Sequence, residues 1–383
     1  TFQFIALVVL IAAFAYLGSN LVANLKAAGL NISYKFLGEP AGYDINQRLI
    51  EYSSQSTHLR AAIVGILNTL LVAVVACFFA TIIGIIVGVL RLSNNWLVNK
   101  LMGVYVEIFR NVPVLIWILI IMAVFVAVLP QPRDFKGDNA EASMLFELFA
   151  FTGRGFYFPR PYFAAEWAAG ATGWLIVIAL LIASFFGARA LAKTATATQQ
   201  ATGERPTTWY FTLGIWFIPL LIALIAMGLT WEIPALKGFN FKGGIYARNS
   251  FIALTFALAI YTAAFIAENV RAGILAVSQG QTEAAASLGL RPNRIMNLVV
   301  LPQALRVIIP PLISQYLNIT KNSSLAIAVG YMDVTGTLGG ITLNQTGRAI
   351  ETVLLLMLFY LVISLSISAI MNVYNNSVKL KER

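Results

Sequence analysis

The side chains most able to carry a function lie in one polar passage between two long apolar segments of the chain. The passage begins at Glu268, continues through a Glu-Ala-Ala triplet that starts at Glu283, and ends at Pro302. Because glycine commonly ends a helix, Gly289 predicts a short helix over residues 282–288 just before it. A helix and turn of this kind can lie along a membrane and seat in a groove of a partner. The residues therefore predict a cytoplasmic interaction surface.

Chemistry based on histidine, cysteine or metal ions is not favoured. The chain has one cysteine, Cys77, inside an apolar run, and one histidine, His58, in a polar loop. These counts exclude an internal disulfide and leave almost no ligands for zinc. The sequence also lacks a Gly-x4-Gly-Lys-Ser/Thr phosphate loop, so the chain supplies no nucleotide site of that type. We predict no catalytic residue, no metal site and no cofactor bound by this chain.

The composition places the helices around this passage in lipid. The 383 residues are 59% hydrophobic and 11% charged, and apolar segments longer than about 18 residues recur along them. The net charge of +10 is spread through loops, where anionic lipid headgroups attract it, so we predict no nucleic-acid partner. We predict an all-α polytopic membrane protein with about eight transmembrane helices, near residues 2–24, 61–90, 101–129, 171–188, 210–229, 250–275, 304–333 and 347–371.

The basic residues favour an orientation with both termini in the cytoplasm, and we expect further cytoplasmic residues before Thr1. The long segments 25–60 and 130–170 then face the outside. The inside carries the basic residues Arg91, Lys100, Arg189, Lys193, Arg205, Arg291, Arg294, Lys379, Lys381 and Arg383. The outside carries the acidic residues Glu39, Asp44, Glu51, Asp134, Asp138, Glu141, Glu147, Glu166 and Glu232.

The passage from Glu283 to Pro302 resembles the EAA loop of ABC importer permeases, Glu-Ala-Ala-x3-Gly-x9-Ile-x-Leu-Pro, with Val299 in place of the isoleucine. Its surroundings resemble the polar-amino-acid uptake branch of that family, which shares the Glu-x-x-Arg-x-Gly-Ile motif that starts at Glu268. Further motifs similar to the family's are Leu-Pro-Gln-Ala from Leu301, Lys-Asn-Ser-Ser-Leu from Lys321 and Glu-Ile-Phe-Arg-Asn-Val-Pro from Glu107.

The resemblance covers roughly 61–129 and 250–375 and implies a type I importer permease core. The insertion between these parts, with the Glu-Ile-Pro motif at Glu232, resembles the larger permease subunit of general L-amino-acid transporters. The resemblance implies an N-terminal transmembrane helix with a periplasmic loop over residues 1–60 and a first core part over 61–129. An insertion with periplasmic loops and two extra transmembrane helices follows over 130–249. The second core part covers 250–383 and contains the coupling loop at 276–303.

The resemblance implies a permease subunit that moves L-amino acids across the bacterial inner membrane into the cytoplasm, with a broad specificity for polar amino acids. It implies, as partners, a homologous second permease, a cytoplasmic ATPase dimer that binds ATP and Mg²⁺, a periplasmic amino-acid-binding protein and membrane lipid. The implied ATPase-docking residues are Glu283, Ala284, Ala285, Gly289, Leu290, Arg291, Arg294 and Pro302. Helices and midplane charges alone also permit a secondary transporter or channel driven by an ion gradient.

Polar residues inside the predicted spans are candidates for the substrate pathway, because a charge in lipid costs a few kcal/mol or more. Lys321 could bind the carboxylate of an amino acid, or it could pair with a protein carboxylate that locks two helices together. Both alternatives stay open. The pathway candidates are Lys321, Asn322, Ser323 and Ser324.

A second charged set is expected near the cytoplasmic helix ends. Glu268 and Arg271 are three residues apart, so they can pair on one helical face. We expect them to hold the sixth span to Glu107 or Arg110, as intramembrane pairing or gating groups. Two adjacent prolines, at 310–311, further predict a kink or break in the seventh span.

Overall fold

The computed structural model describes residues 2–29, 31–137 and 140–378. It divides the chain into a core unit, Thr1–Ala123 with Ser250–Arg383, and an insertion unit, Val124–Asn249. Several sequence-based assignments concern positions outside the described residues, namely Thr1, Asp138, Lys379, Lys381 and Arg383.

Helices dominate the described chain, as predicted. Seven helical segments in it are long and apolar enough to cross a membrane, or eight if one bent pair counts as a single span. The α-helices are α1 Phe2–Ala27, α2 His58–Leu90, α3 Trp96–Asn111, α4 Val114–Val128, α5 Ala171–Thr202, α6 Trp209–Ala226, α7 Asn249–Leu275, α8 Gln279–Ser287, α9 Pro292–Ile295, α10 Leu301–Asn322, α11 Leu343–Thr346 and α12 Ala349–Val378.

The third predicted span has a different form from the one expected, because residues 101–129 are not one straight helix. They belong to the bent pair α3 and α4, which meet at 105°. Val112 between them is extended, with φ −107° and ψ 130°, since the ring of Pro113 disfavours a helical conformation in the residue before it. The chain therefore turns sharply between the two helices.

Of the kink or break predicted at the paired prolines, the break is wrong. α10 continues through Pro310 and Pro311, as helices in lipid can when neighbouring groups take up the freed carbonyls. The irregular turns lie at its two ends: a π-helical turn at Met296–Val300 precedes it, and a 3₁₀ turn at Ser323–Val329 follows it. The helical span thus ends at the left-handed Gly330, short of the predicted residue 333.

α2 and α7 approach each other closely along a line of small residues. A methyl group added at Gly84 would lie 2.6 Å from Cβ of Ile266, and one at Gly88 would lie 2.7 Å from the carbonyl oxygen of Ala267. Glycine spaced by four residues permits such contact between helices in lipid. Gly84 and Gly88 therefore allow α2 to lie directly against α7.

The segment between α1 and α2, residues 31–57, packs onto the start of α2 and is called the α1–α2 connector. It contains a 3₁₀ turn at Lys35–Gly38. Its own small apolar core is shared with α2 and consists of Ala41, Ile45, Tyr52, Ala61 and Val64. The connector is therefore a folded part of the core unit.

The insertion unit adds short strands that the prediction of an all-α chain did not include. They are β1 Ala150–Thr152, β2 Gly155–Phe158, β3 Arg160–Phe163, β4 Leu229–Glu232, β5 Ala235–Lys237, β6 Asn240–Lys242 and β7 Ile245–Arg248. They pair in antiparallel sheets of order β1-β2-β7, β3-β4 and β5-β6. The helices of this unit, α5 and α6, are joined by a hydrogen bond of 2.8 Å from Ser184 Oγ to the Ile215 carbonyl.

Candidate functional site

The polar passage predicted from the sequence forms a compact surface loop, residues 276–303. The predicted short helix is confirmed as α8, and it starts earlier than expected. Gly289 follows it with a left-handed φ of 78°. The Leu290 N–H donates to the Ala285 carbonyl at 3.4 Å, a bond that a left-handed residue after a helix allows. α9 then begins with Pro292 in its first turn, where the missing N–H has no helical partner to lose.

An apolar core holds the surface loop together from inside. It consists of Ile274, Val277, Ala285, Leu290, Ile295, Val299 and Val300. Ile274 belongs to the end of α7, and Val300 leads into α10, so the core joins the loop to the helices on both sides. Two of the predicted docking residues, Ala285 and Leu290, belong to this core. Pro302 is half-buried.

The outer face of the surface loop carries charges of both signs around an apolar tip. The exposed docking candidates are Glu283, Ala284, Gly289, Arg291 and Arg294. Beside them Leu288 is 81% exposed. Sequence reasoning passed over this leucine because the motif defines its neighbours and not this position. A large apolar side chain directly before the helix-ending glycine was the available signal, and an exposed apolar group with a polar rim is typical of a protein contact.

Two arginines hold Glu268 near the end of α7. Its Oε1 lies 2.6 Å from Nη2 of Arg271, so the expected pairing on one helical face is present. Its other carboxylate oxygen contacts the guanidinium of Arg91, just beyond the C-terminal end of α2. Since α2 and α7 also touch along their glycine and alanine residues, this ion pair ties together two helices that are already in close contact.

Glu107 and Arg110 lie on α3 and do not pair with Glu268, which differs from the expectation. Arg110 instead places its guanidinium carbon 5.4 Å from the ring centroid of Phe265 on α7, within the range of a cation–π contact. Glu107 accepts a hydrogen bond of 3.3 Å from Asn111 of its own helix. α3 therefore contacts α7 through an aromatic ring, whereas the carboxylate of α7 binds α2.

Lys321 stands on an exposed side of α10, in its last turn. Its neighbour Ser323 is fully buried, and the Ser323 hydroxyl donates a hydrogen bond of 2.8 Å to the Thr320 carbonyl. Ser324 donates to the carbonyl of Lys321 itself at 2.8 Å, and Asn322 is half-buried. Within residues 2–29, 31–137 and 140–378, no carboxylate lies at salt-bridge distance from Lys321.

Asp333 is a buried carboxylate that sequence reasoning did not single out. It lies shortly after Gly330 and is fully buried. One carboxylate oxygen accepts a hydrogen bond of 2.8 Å from the Gly336 N–H. Burial raises the pKa of Asp333 to about 7. The signal in the sequence was a single acidic residue at the end of a long apolar stretch.

The chain is similar to known transport proteins over its whole length. Residues 206–380 match the family model of the binding-protein-dependent transport system inner membrane component. The chain is 52% identical to the glutamate/glutamine/aspartate/asparagine transport system permease protein BztB of Rhodobacter capsulatus, over 100% of this chain and 94% of that protein. It is 44% identical to the general L-amino acid transport system permease protein AapQ of Rhizobium johnstonii, over 100% and 92%.

A solved structure of an amino acid ABC transporter with histidines is similar in fold at a TM-score of 0.47. The two chains are 18% identical, and the similarity covers 84% of this chain and 95% of that one.

Proposed function

Because the chain belongs to the permease proteins of amino-acid ABC transporters, which are binding-protein-dependent inner membrane components, we propose that it forms one half of the membrane pathway of an L-amino-acid importer. A homologous second permease supplies the other half, and a periplasmic binding protein delivers the substrate. The substrate range is broad and centred on polar amino acids. Relatives named for glutamate, glutamine, aspartate and asparagine, and for L-amino acids in general, support this range. The complex works in the bacterial inner membrane.

The surface loop is the docking site of a separate ATPase dimer, and its exposed face is the observation that carries this proposal. Leu288 is 81% exposed and stands among the exposed charges of Glu283, Arg291 and Arg294. An apolar anchor with charged groups at its rim fits a groove on a partner, where burying the anchor supplies affinity and the charges supply orientation. ATP and Mg²⁺ bind to that partner, since this sequence has no phosphate loop.

The apolar core of the loop explains how docking could drive transport. Ala285 and Ile295, which lie beneath the exposed face, pack in one cluster with Ile274 of α7 and Val300 before α10. Closely packed groups transmit displacement because they resist deformation. A movement of the ATPase would therefore reach α7 and α10 together.

Lys321 marks the face that meets the second permease and the substrate. A lysine in the last turn of an apolar helix would be costly against lipid, and it has no carboxylate partner in the described part of the chain. The pathway between the two permeases relieves this cost. There the ammonium group of Lys321 binds the substrate carboxylate, and Asn322 and Ser324 add hydrogen bonds. Ser323 is bonded inward and positions this turn.

The charged set at the other end of the bundle is proposed as a coupling element between helices. Glu268 bridges α7 to Arg91, and Arg110 contacts α7 through Phe265. Both contacts lie close to the end of α7 that enters the surface loop. The contact of Arg110 with Phe265 can form and break as α7 moves against α3. The glycine contacts and the Glu268–Arg91 ion pair instead keep α2 and α7 together.

The decisive experiment is uptake into proteoliposomes that contain this chain, the second permease, the ATPase and the binding protein. Glu283→Ala should reduce uptake and amino-acid-stimulated ATP hydrolysis about tenfold or more, because truncating a central charged contact of an interface commonly costs more than about 1.4 kcal/mol. The variant should still insert and assemble with the second permease. Glu204→Ala, at an exposed glutamate between α5 and α6, is the matched control and should behave like the wild type.

ATP dependence separates this proposal from the ion-gradient alternative. Uptake by the complete complex should stop when ATP is withheld and should continue when the membrane potential and ion gradients are collapsed. Transport that follows an imposed ion gradient without ATP would overturn the importer proposal, whatever the behaviour of Glu283→Ala.

A further inference from the structure

A polar cavity opens in the core unit beside the α1–α2 connector. Its volume is about 640 Å³, within the range of about 300–1,000 Å³ that is typical of small-molecule sites. Three segments line it: the connector, the first residue of α2 and the turn that leads into α12. The polar and charged side chains among the lining residues include Lys35, Glu39, His58, Gln345 and Arg348. The connector belongs to the segment that we predict to face the outside, where substrate arrives.

Backbone hydrogen bonds fix the connector side of this cavity. The N–H of His58, the first residue of α2, donates to the Glu39 carbonyl at 3.0 Å. The Ala41 N–H donates to the Ser56 carbonyl at 2.8 Å. The backbone of Glu39 is thereby tied to the start of α2. A wall that is already formed loses little conformational freedom when a ligand binds to it.

Buried hydrogen bonds attach the connector to the rest of the core unit. Asn68 on α2 is fully buried. Its amide nitrogen donates to the carbonyl oxygens of Gln47 in the connector and of Met332 after α10, each at 2.8 Å. Asp333, the residue after Met332, is fully buried as well, and these four residues are called the buried polar group around Asn68. The connector is therefore held to two other segments of the fold.

Arg348 brings a positive charge of fixed position to the cavity. Its Nη1 donates to the Asn31 carbonyl at 2.7 Å and to the Glu351 carboxylate at 3.3 Å. Glu351 is buried and also accepts from the Ser33 N–H at 3.0 Å. Within the described residues both hydrogen bonds of Arg348 use Nη1, so Nε and Nη2 are left for a ligand. A guanidinium held in this way presents its other donors to a carboxylate.

Two further charges of opposite sign line the same cavity. Lys35 begins the 3₁₀ turn of the connector, and Glu39 directly follows that turn. Both side chains are exposed. Neither lies at salt-bridge distance from an opposite charge within residues 2–29, 31–137 and 140–378. The cavity therefore offers an ammonium group, a carboxylate and a guanidinium to a ligand.

We propose that this cavity binds one free L-amino acid with an acidic or amide side chain, which rests on the proposed function, because amino acids are then the substrates. The Arg348 guanidinium binds the α-carboxylate, and the Glu39 carboxylate binds the α-ammonium group. Lys35 binds the carboxylate or amide oxygen of the side chain. The cavity is a first binding site on the permease, where an amino acid released by the binding protein is held before it enters the pathway.

Simpler ligands match these groups less well. A dicarboxylate or an inorganic anion leaves Glu39 without a partner, and a lone cation meets the positive charges of Lys35 and Arg348. A zwitterion with a third polar group pairs with all three. Exposed ion pairs are weak because water and salt screen them, so we expect a Kd of about 1–5 mM. Weak binding suits this place, since an amino acid that was held tightly would not move on.

Protection of a cysteine at the cavity wall tests this site with L-glutamate as the probe. The permease pair with its ATPase is placed in nanodiscs without the binding protein, and Cys77→Ala removes the native cysteine of this chain. Gln345→Cys, at an exposed lining position, then reacts with N-ethylmaleimide. About 10 mM L-glutamate should slow this reaction about threefold to tenfold relative to sodium chloride. Asp44→Cys, at an exposed connector position outside the cavity lining, should react equally fast in both.

Two variants added to Gln345→Cys assign the contacts. Glu39→Gln should abolish most of the protection, because it removes the partner of the α-ammonium group. Lys35→Met should make L-alanine protect as well as L-glutamate does. Lys321→Ala should leave the protection by L-glutamate unchanged, since Lys321 belongs to the separate pathway site.

The ligand's ammonium group gives the sharpest discrimination. Glutarate has both carboxylates of glutamate and no ammonium group, so it should protect Gln345→Cys at least about threefold less. Equal protection by glutarate and L-glutamate would overturn the proposal, because the cavity would then bind anions in general. Absence of protection by L-glutamate would overturn it as well, and ATP-driven uptake by the same preparation with the binding protein would then show that the proposed function stands without this site.

Discussion

The surface loop and the buried polar group around Asn68 use charged side chains in opposite ways. In the loop, an apolar core lies beneath, and the charges of Glu283, Arg291 and Arg294 are exposed above it. Around Asn68, the polar groups are inside, and Asp333 is fully buried. Exposed charges can be changed with little effect on folding, whereas buried polar groups are part of the fold. The surface loop is therefore suited to binding a partner, whereas the buried polar groups around Asn68 stabilise the fold of the chain.

The largest effect is expected in the buried region. Asn68→Leu removes two hydrogen bonds and leaves the carbonyls of Gln47 and Met332 without their donor. It should lower the free energy of unfolding by about 2–4 kcal/mol. Tryptophan fluorescence on heating measures this, with Asn46→Leu, at an exposed asparagine of the connector, as the control that should change little. If Asn68→Leu lost uptake at unchanged stability, Asn68 would serve transport and not the fold, and the contrast with the surface loop would fail.

A smaller effect, of the opposite kind, is expected at the tip of the surface loop. Leu288→Asp should reduce amino-acid-stimulated ATP hydrolysis about tenfold, the equivalent of about 1.4 kcal/mol of docking free energy. The Tm of the isolated permease pair should stay within about 1 °C, because Leu288 is 81% exposed. Leu288→Met keeps an apolar anchor and should retain most of the activity. A Leu288→Asp variant that unfolds early would show that the leucine belongs to the fold.

The smallest effects come from two glycines of the same loop and should differ in sign. Gly289 has a left-handed φ of 78°, so Gly289→Ala strains the turn by about 1–2 kcal/mol and should weaken coupling several-fold. Gly280 lies within α8 with open space around it. Gly280→Ala should stabilise that helix by up to about 1 kcal/mol. Uptake and ATP hydrolysis are measured for both glycine variants. Equal losses in Gly289→Ala and Gly280→Ala would contradict the role proposed for the left-handed turn at Gly289.

Features set by neighbouring residues were predictable from the sequence. The apolar spans follow from composition, and α8 follows from the glycine that ends it. The family resemblance read from the stretch between Glu283 and Pro302 is confirmed by full-length relatives. The bend at Val112 was also predictable, because a proline follows Val112. The apolar residues on both sides of it nevertheless suggested one straight helix.

Features that depend on distant residues were not predictable. Asn68 binds the carbonyl of Met332 across 264 positions of sequence, so no local pattern marks it. The prolines of α10 do not break the helix, because their effect depends on how neighbouring groups accommodate them and not on proline alone. The strands of the insertion unit are three or four residues long, too short for alternation to stand out.

The bend between α3 and α4 also has a consequence for bilayer mechanics. Two helices that meet at 105° cannot both stand along the membrane normal. α4 has 15 residues and no charged side chain, so it is the one that enters the hydrocarbon, and at about 1.5 Å per residue it is about 22 Å long. A typical hydrocarbon core is about 30 Å thick. The mismatch should thin the lipid around α4, so the transport rate should be higher in phospholipids with shorter acyl chains.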